Sequence, residues 1–92
     1  MIIRWLRMAE KDLDDLFSFV AQDSLAMAEK EVERVIKEVA HLQFHPAMGR
    51  PGRVPETREF VILPYIVAYR VKGTTVQILR VLHSAREWPD SI

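Results

Sequence analysis

The strongest constraint on this chain is an apolar stripe at its centre. Leu25, Ala28, Val32, Val35, Val39 and Leu42 recur at alternating spacings of three and four, while Glu29, Lys30, Glu31, Glu33, Arg34, Lys37 and Glu38 fill the positions between them. That period places one apolar face along a helix. A shorter stripe precedes it: Leu13, Leu16, Phe17 and Val20 share a face, with Lys11, Asp12, Asp14 and Asp15 expected to point away. Asp23-Ser24 between the two supplies an N-cap oxygen for the amides that open the second helix. The second helix is expected to stop near His45, because Pro46 disfavours helical geometry in the residue before it. The pattern therefore predicts a helical hairpin over about 8–22 and 24–44, and a hairpin with an apolar seam needs another layer to cover it.

The rest of the chain supplies that layer. Ile2, Ile3, Trp5 and Leu6 form a short β-prone run before the hairpin. Residues 46–57 hold three prolines, two glycines and two arginines, which reads as a long loop. Three strands are expected after it: Arg58 to Leu63, broken by Pro64; Tyr65 to Lys72, closed by a Gly73-Thr74 turn; and Thr75 to His83. The fold class is α+β in the order β-α-α-β-β-β, with the helical hairpin packed on an antiparallel sheet as a single domain spanning residues 1–92. Leu13, Leu16, Phe17, Val20, Val32, Val35, Val39, Val67, Ile78 and Val81 are the expected core, and Trp5, Trp88, Phe17 and Phe44 are read as core or tail anchors.

Composition excludes several classes of function. Cysteine is absent, which removes disulfide staples, thiolate zinc sites and thiol nucleophiles together. The longest apolar run, Phe60 to Tyr69, has ten residues with a proline inside, far short of the roughly 20 that span a bilayer. No basic-then-apolar leader pattern opens the chain, so a cytoplasmic location without membrane contact is expected. Thirteen bases balance thirteen acids, yet the halves differ: residues 1–45 hold six bases against nine acids, and residues 46–92 seven against four. Six of those seven are arginine, suited to phosphate or carboxylate.

Chemistry-bearing motifs are sparse. No glycine-rich phosphate cradle is present, since Gly49-Arg50-Pro51-Gly52-Arg53 has neither a strand before it nor a helix after it. His41 and His45 stand four apart without a third ligand at a predictable spacing, so neither a metal nor a cofactor is expected. The remaining candidates are Arg50, Arg53, Arg58, Arg70, Arg80, His83 and Arg86, with Tyr65 and Tyr69. Meander pairing would let the loop arginines, Arg80 and His83 converge, as cleavage of RNA by its own 2′-hydroxyl requires. His83 is the sole group outside the helices that titrates near neutrality. The structural alternative has His83 bonding the tail backbone and the arginines pairing with Glu56, Glu59 and Glu87.

In order and spacing, Leu42-x-x-His45-Pro46, Gly49-Arg50-Pro51, Val54-Pro55-x-x-Arg58-Glu59-Phe60, Tyr65 to Val71 and Ile78 to Pro89 resemble the RelE/ParE superfamily of toxins from type II toxin–antitoxin modules. The resemblance covers almost the whole chain. It implies a growth-inhibiting toxin neutralised by a cognate antitoxin, a small protein that folds on binding. RelE-like members cleave messenger RNA on the ribosome, and ParE-like members poison DNA gyrase. Residues 46–57 lack lysine and Ser84 to Ile92 lack tyrosine, which places the chain closer to the ParE side. The preferred expectation is thus a ParE-like toxin acting on gyrase, with Arg50, Arg53, Arg58, Arg80 and Arg86 meeting target or antitoxin. The alternatives are a ribosome-dependent mRNA endonuclease with His83 as its catalytic group, and a non-toxic protein-binding module. The antitoxin is expected to use the partly apolar hairpin flanks (Ala26, Met27, Ile36, Phe44) and an open sheet edge.

Overall fold

The computed structural model describes residues 1–85, 88–89 and 91–92. Arg86 falls outside the described residues. Strand β1 (Ile2–Trp5) leads into helix α1 (Arg7–Ala21) and helix α2 (Leu25–Val39), which a 3-10 turn extends over Ala40–Gln43. The second helix is thus shorter than the expected 24–44, its last turn tightening before Pro46. Ser24 caps α2 as its sequence position implies, its hydroxyl accepting from the Met27 amide at 3.1 Å. Strands β2 (Arg50–Pro51), β3 (Arg58–Ile62), β4 (Tyr65–Lys72) and β5 (Thr75–His83) complete the chain. Two helices pack on a five-stranded sheet, the expected α+β architecture. No helix among the described residues is long and apolar enough to cross a membrane.

The strand order is β1-β5-β4-β3-β2. Strands β3 to β5 form the expected antiparallel run and β2 extends it along β3, while β1 pairs with β5 in parallel, Ile2 beside Thr75 and Trp5 beside Ile78. The sheet is therefore mostly antiparallel, as expected, with β1 added in parallel as one of its edges. The segment 46–57 is not all loop either, because Arg50 and Pro51 pair with Glu59 and Arg58. A proline fits there because an edge strand has no further neighbour waiting for its missing N–H.

Alternation along the strands divides the sheet into two faces. Ile3, Trp5, Phe60, Ile62, Val67, Tyr69, Val76 and Ile78 face the helices and join Val35, Val39 and Leu42 in the main core. A bulge in β5 opposite Ala68 and Tyr69 shifts the alternation by one, so that Val81 follows Ile78 on the helix side. Leu16, Val35, Val39, Val67, Ile78 and Val81 are buried as expected, whereas Leu13, Phe17, Val20 and Val32 are half-buried and Leu25 is exposed. The buried line of α1 is instead Ala9, Asp12 and Leu16. Of the expected anchors, Trp5, Phe17 and Trp88 are half-buried but Phe44 is 76% exposed.

Candidate functional site

Asp12 does not point away from the core. It lies at 8% exposure where α1 crosses the bulge of β5. Its carboxylate accepts from Arg80 Nε at 2.8 Å and Nη2 at 3.1 Å, and from the Val81 amide at 2.8 Å. Bulges re-aim side chains, and this one turns Arg80 toward the helix layer. The hydrogen bond to Asp12 raises the pKa of Arg80 despite its burial. With 15% of its side chain exposed, Arg80 is committed inside the molecule.

A second buried carboxylate organises the opposite end of the sheet. Glu59, 3% exposed, receives Arg50 through Nε at 3.3 Å and Nη2 at 3.0 Å. It also receives Arg53 through its amide at 2.8 Å and its guanidinium at 3.0 and 3.2 Å. Burial alone would push the Glu59 carboxyl up; the Arg53 side chain and backbone and the Arg50 side chain outweigh it and hold it below the usual range. Both arginines remain open to solvent, with 55% and 47% of their side chains exposed. The Arg53 guanidinium also lies 4.1 Å from the centroid of the Trp88 ring, bringing the C-terminal tail to this side of the sheet.

Arg58 faces the other way. Its Nη1 donates to the Gly49 carbonyl at 2.8 Å, bracing the loop. Tyr69 pins the same loop, donating to the Pro46 carbonyl at 2.7 Å and accepting from the Gly49 amide at 2.9 Å. A Cβ on Gly49 would meet the Tyr69 ring and hydroxyl at 2.7 Å, so glycine is required by close approach.

His83 ends β5 on the helix side. It is paired with Tyr65, and the two rings meet edge to face at 5.9 Å. Its Nδ1 accepts from the Ala85 amide at 3.1 Å, as the structural alternative expected. Together with Asp15, Leu16, Phe19, Pro64 and Tyr65 it borders an open apolar groove on the helix layer. Arg50 and Arg53 gather on Glu59, whose alternation puts it on the opposite face. The loop arginines Arg50 and Arg53 therefore lie on the face opposite His83, whereas Arg80 shares the helix side with His83 and is bound there to Asp12. His41 sits beside Glu38 at 3.6 Å near the end of the helical layer.

Two features escaped the sequence reading. The long-range partner of Asp12 had no local signal, and the pin from Tyr69 to the loop looked like an ordinary strand aromatic. Glu59 was named only as one of three carboxylates available to the arginines.

Comparison with known proteins agrees with this architecture. Residues 3–88 match the family described as ParE toxin of type II toxin-antitoxin system, parDE. A protein of Sinorhizobium fredii named as a candidate toxin, Y4kP, is 39% identical over 89 residues, covering 95% of this chain and 92% of its own. Among solved structures, the chromosomal ParDE toxin–antitoxin system of P. aeruginosa superposes with a TM-score of 0.82 at 33% identity, covering 90% of this chain and 95% of that one. The RelBE2 toxin–antitoxin complex of Mycobacterium tuberculosis gives 0.60 at 26% identity, covering 89% and 95%. The chain belongs to the ParE family, the toxin component of type II toxin–antitoxin systems.

Proposed function

We propose that this toxin arrests growth by binding DNA gyrase, not by cleaving messenger RNA. The observation that carries this reading is the separation of His83 from Arg50 and Arg53, which lie on opposite faces of the sheet. Cleavage through a 2′-hydroxyl needs an acid and a base flanking the phosphate, with cations on its oxygens. His83, the one histidine in the strands, stands on the helix-side face with Nδ1 engaged by a backbone amide. Arg50 and Arg53 lie on the other face, and Arg80 is bound to Asp12. Arginine stays protonated and makes a poor base.

Neutralisation fits the helical layer. Phe19 (74% exposed) stands at the rim of the groove beside His83, and Met27, Ile36 and Phe44 leave further apolar surface on the hairpin. An antitoxin segment that folds as it docks would cover these positions.

Induced expression beside DNA-damage and translation reporters tests the proposal. The expected result is growth arrest with DNA-damage signalling, relieved by the cognate antitoxin and retained in His83→Ala. Ribosomal mRNA cleavage that disappears in His83→Ala would transfer the assignment to the nuclease reading.

A further inference from the structure

The two layers of this molecule carry opposite charge. Nine of the thirteen acids lie between Glu10 and Glu38, on the helices and the turn that joins them. Across all five strands there is a single acid, Glu59, which is buried beneath two arginines. On the outer face of the sheet, Arg4, Gln77 and Arg70 sit side by side on β1, β5 and β4, and Lys72 follows Arg70 two residues along β4. Arg4, Arg70 and Lys72 are exposed and have no ion-pair partner among the described residues. The Nε of Arg70 donates to Gln77 Oε1 at 2.6 Å, which holds the guanidinium over the face. Arg50 and Arg53 lie on the same face near its far edge, half exposed over Glu59.

We infer that the outer sheet face is a docking surface for the phosphodiester backbone of duplex DNA. Strands lie about 4.8 Å apart and residues two apart on a strand about 6.6 Å, so Arg4, Arg70 and Lys72 fall within roughly 12 Å. A duplex presents one charge per about 1.7 Å of axis, and such a footprint meets several phosphates. The apolar grooves border the helices, whereas this face presents Arg4, Arg70 and Lys72 to solvent, which suits a backbone rather than an apolar peptide. Single-strand recognition needs open aromatic platforms. The aromatic that the described residues bring to this side, Trp88, is stacked by Arg53. Acidic helices on the opposite side orient the molecule with its sheet toward a polyanion. The inference rests on the gyrase reading for its setting, since a topoisomerase holds a duplex, but its physical case is the charge pattern.

The test is fluorescence anisotropy of a labelled 30-base-pair duplex with the full chain, across a salt series. Three to five phosphate contacts predict a log–log slope of about −3 to −5, a loss of roughly 10²–10³-fold between 50 and 200 mM salt. The triple variant Arg4→Gln, Arg70→Gln, Lys72→Gln should lower the slope by about three and melt at the parent temperature, because these side chains are exposed. No duplex binding at 50 mM salt, or equal binding by the variant, overturns the inference. Tighter binding of a single-stranded RNA of the same length, or of a polyglutamate of equal charge, also overturns it. Gyrase supercoiling, read on the same preparations, separates the two ideas. Inhibition by a chain that binds no DNA defeats the docking surface alone, and DNA binding without inhibition defeats the target assignment alone.

Discussion

Asp12 and Glu59 are both buried carboxylates held by arginine, yet they leave the surface in different states. Asp12 has one arginine, which is nearly buried with it, and the pair joins α1 to β5 across 68 positions of sequence. Glu59 has two arginines, both about half exposed, and the group ties the short edge strand and its loop to β3. One carboxylate neutralises one cation in the first case, and charge is consumed by the fold. In the second, two cations share one anion and a positive surplus faces solvent. Identical chemistry thus gives an interlayer lock at one site and a presented charge at the other.

Breaking the lock should have the largest effect. Asp12→Ala leaves Arg80 and the Val81 amide without a partner in a buried setting, and urea denaturation should show a loss of about 3–5 kcal/mol. Replacing both members, Asp12→Leu with Arg80→Met, should recover part of that loss, because no buried charge remains unpaired. A double variant as unstable as Asp12→Ala would show that the charges themselves are not what the core resists.

Glu59→Gln should cost less, about 1–3 kcal/mol, since the arginines it releases can turn to water. This site also has a pH signature. The folded carboxyl titrates below its unfolded value, so the stabilisation is complete above the unfolded pKa of about 4.3. It is lost as pH falls through the lower folded value. Melting curves of parent and Glu59→Gln should therefore be well separated at pH 6–7, draw together as pH falls below the unfolded value, and meet only below the lower folded one. A gap that widens on acidification would contradict the assigned direction. The smallest change is expected for Arg50→Ala. More than half of that side chain is in water and Arg53 still holds Glu59, so thermal unfolding should register less than about 1 kcal/mol.

The same comparison shows what a linear reading can reach. The Val35–Val39 stripe, the Ser24 cap, the Gly73 turn and the strands from Arg58 to His83 follow from local period and turn chemistry, and all are found. Asp12 was illegible because it stands among Lys11, Asp14 and Asp15, where helical period marks a solvent face. The buried line of α1 is rotated onto Ala9, Asp12 and Leu16, and only the distant bulge that presents Arg80 makes a carboxylate acceptable there. Parallel pairing of β1 was hidden for the same reason, because nothing within four residues specifies a neighbour at the far end of the chain. The arginine list was legible as a list. Its division between lock, loop brace and open surface depends on strand alternation and a bulge, both tertiary facts.

The target assignment depends on His83 standing on the face opposite Arg50 and Arg53, and supercoiling by purified gyrase tests it most directly. Parent toxin and His83→Ala should inhibit supercoiling with concentrations for half-inhibition within about twofold, because removing a group outside the contact changes little. Removing a true acid–base residue lowers activity by roughly 10²–10⁴-fold. Absence of gyrase inhibition by the parent, together with cleavage of messenger RNA on translating ribosomes that falls by that factor in His83→Ala, would contradict the account.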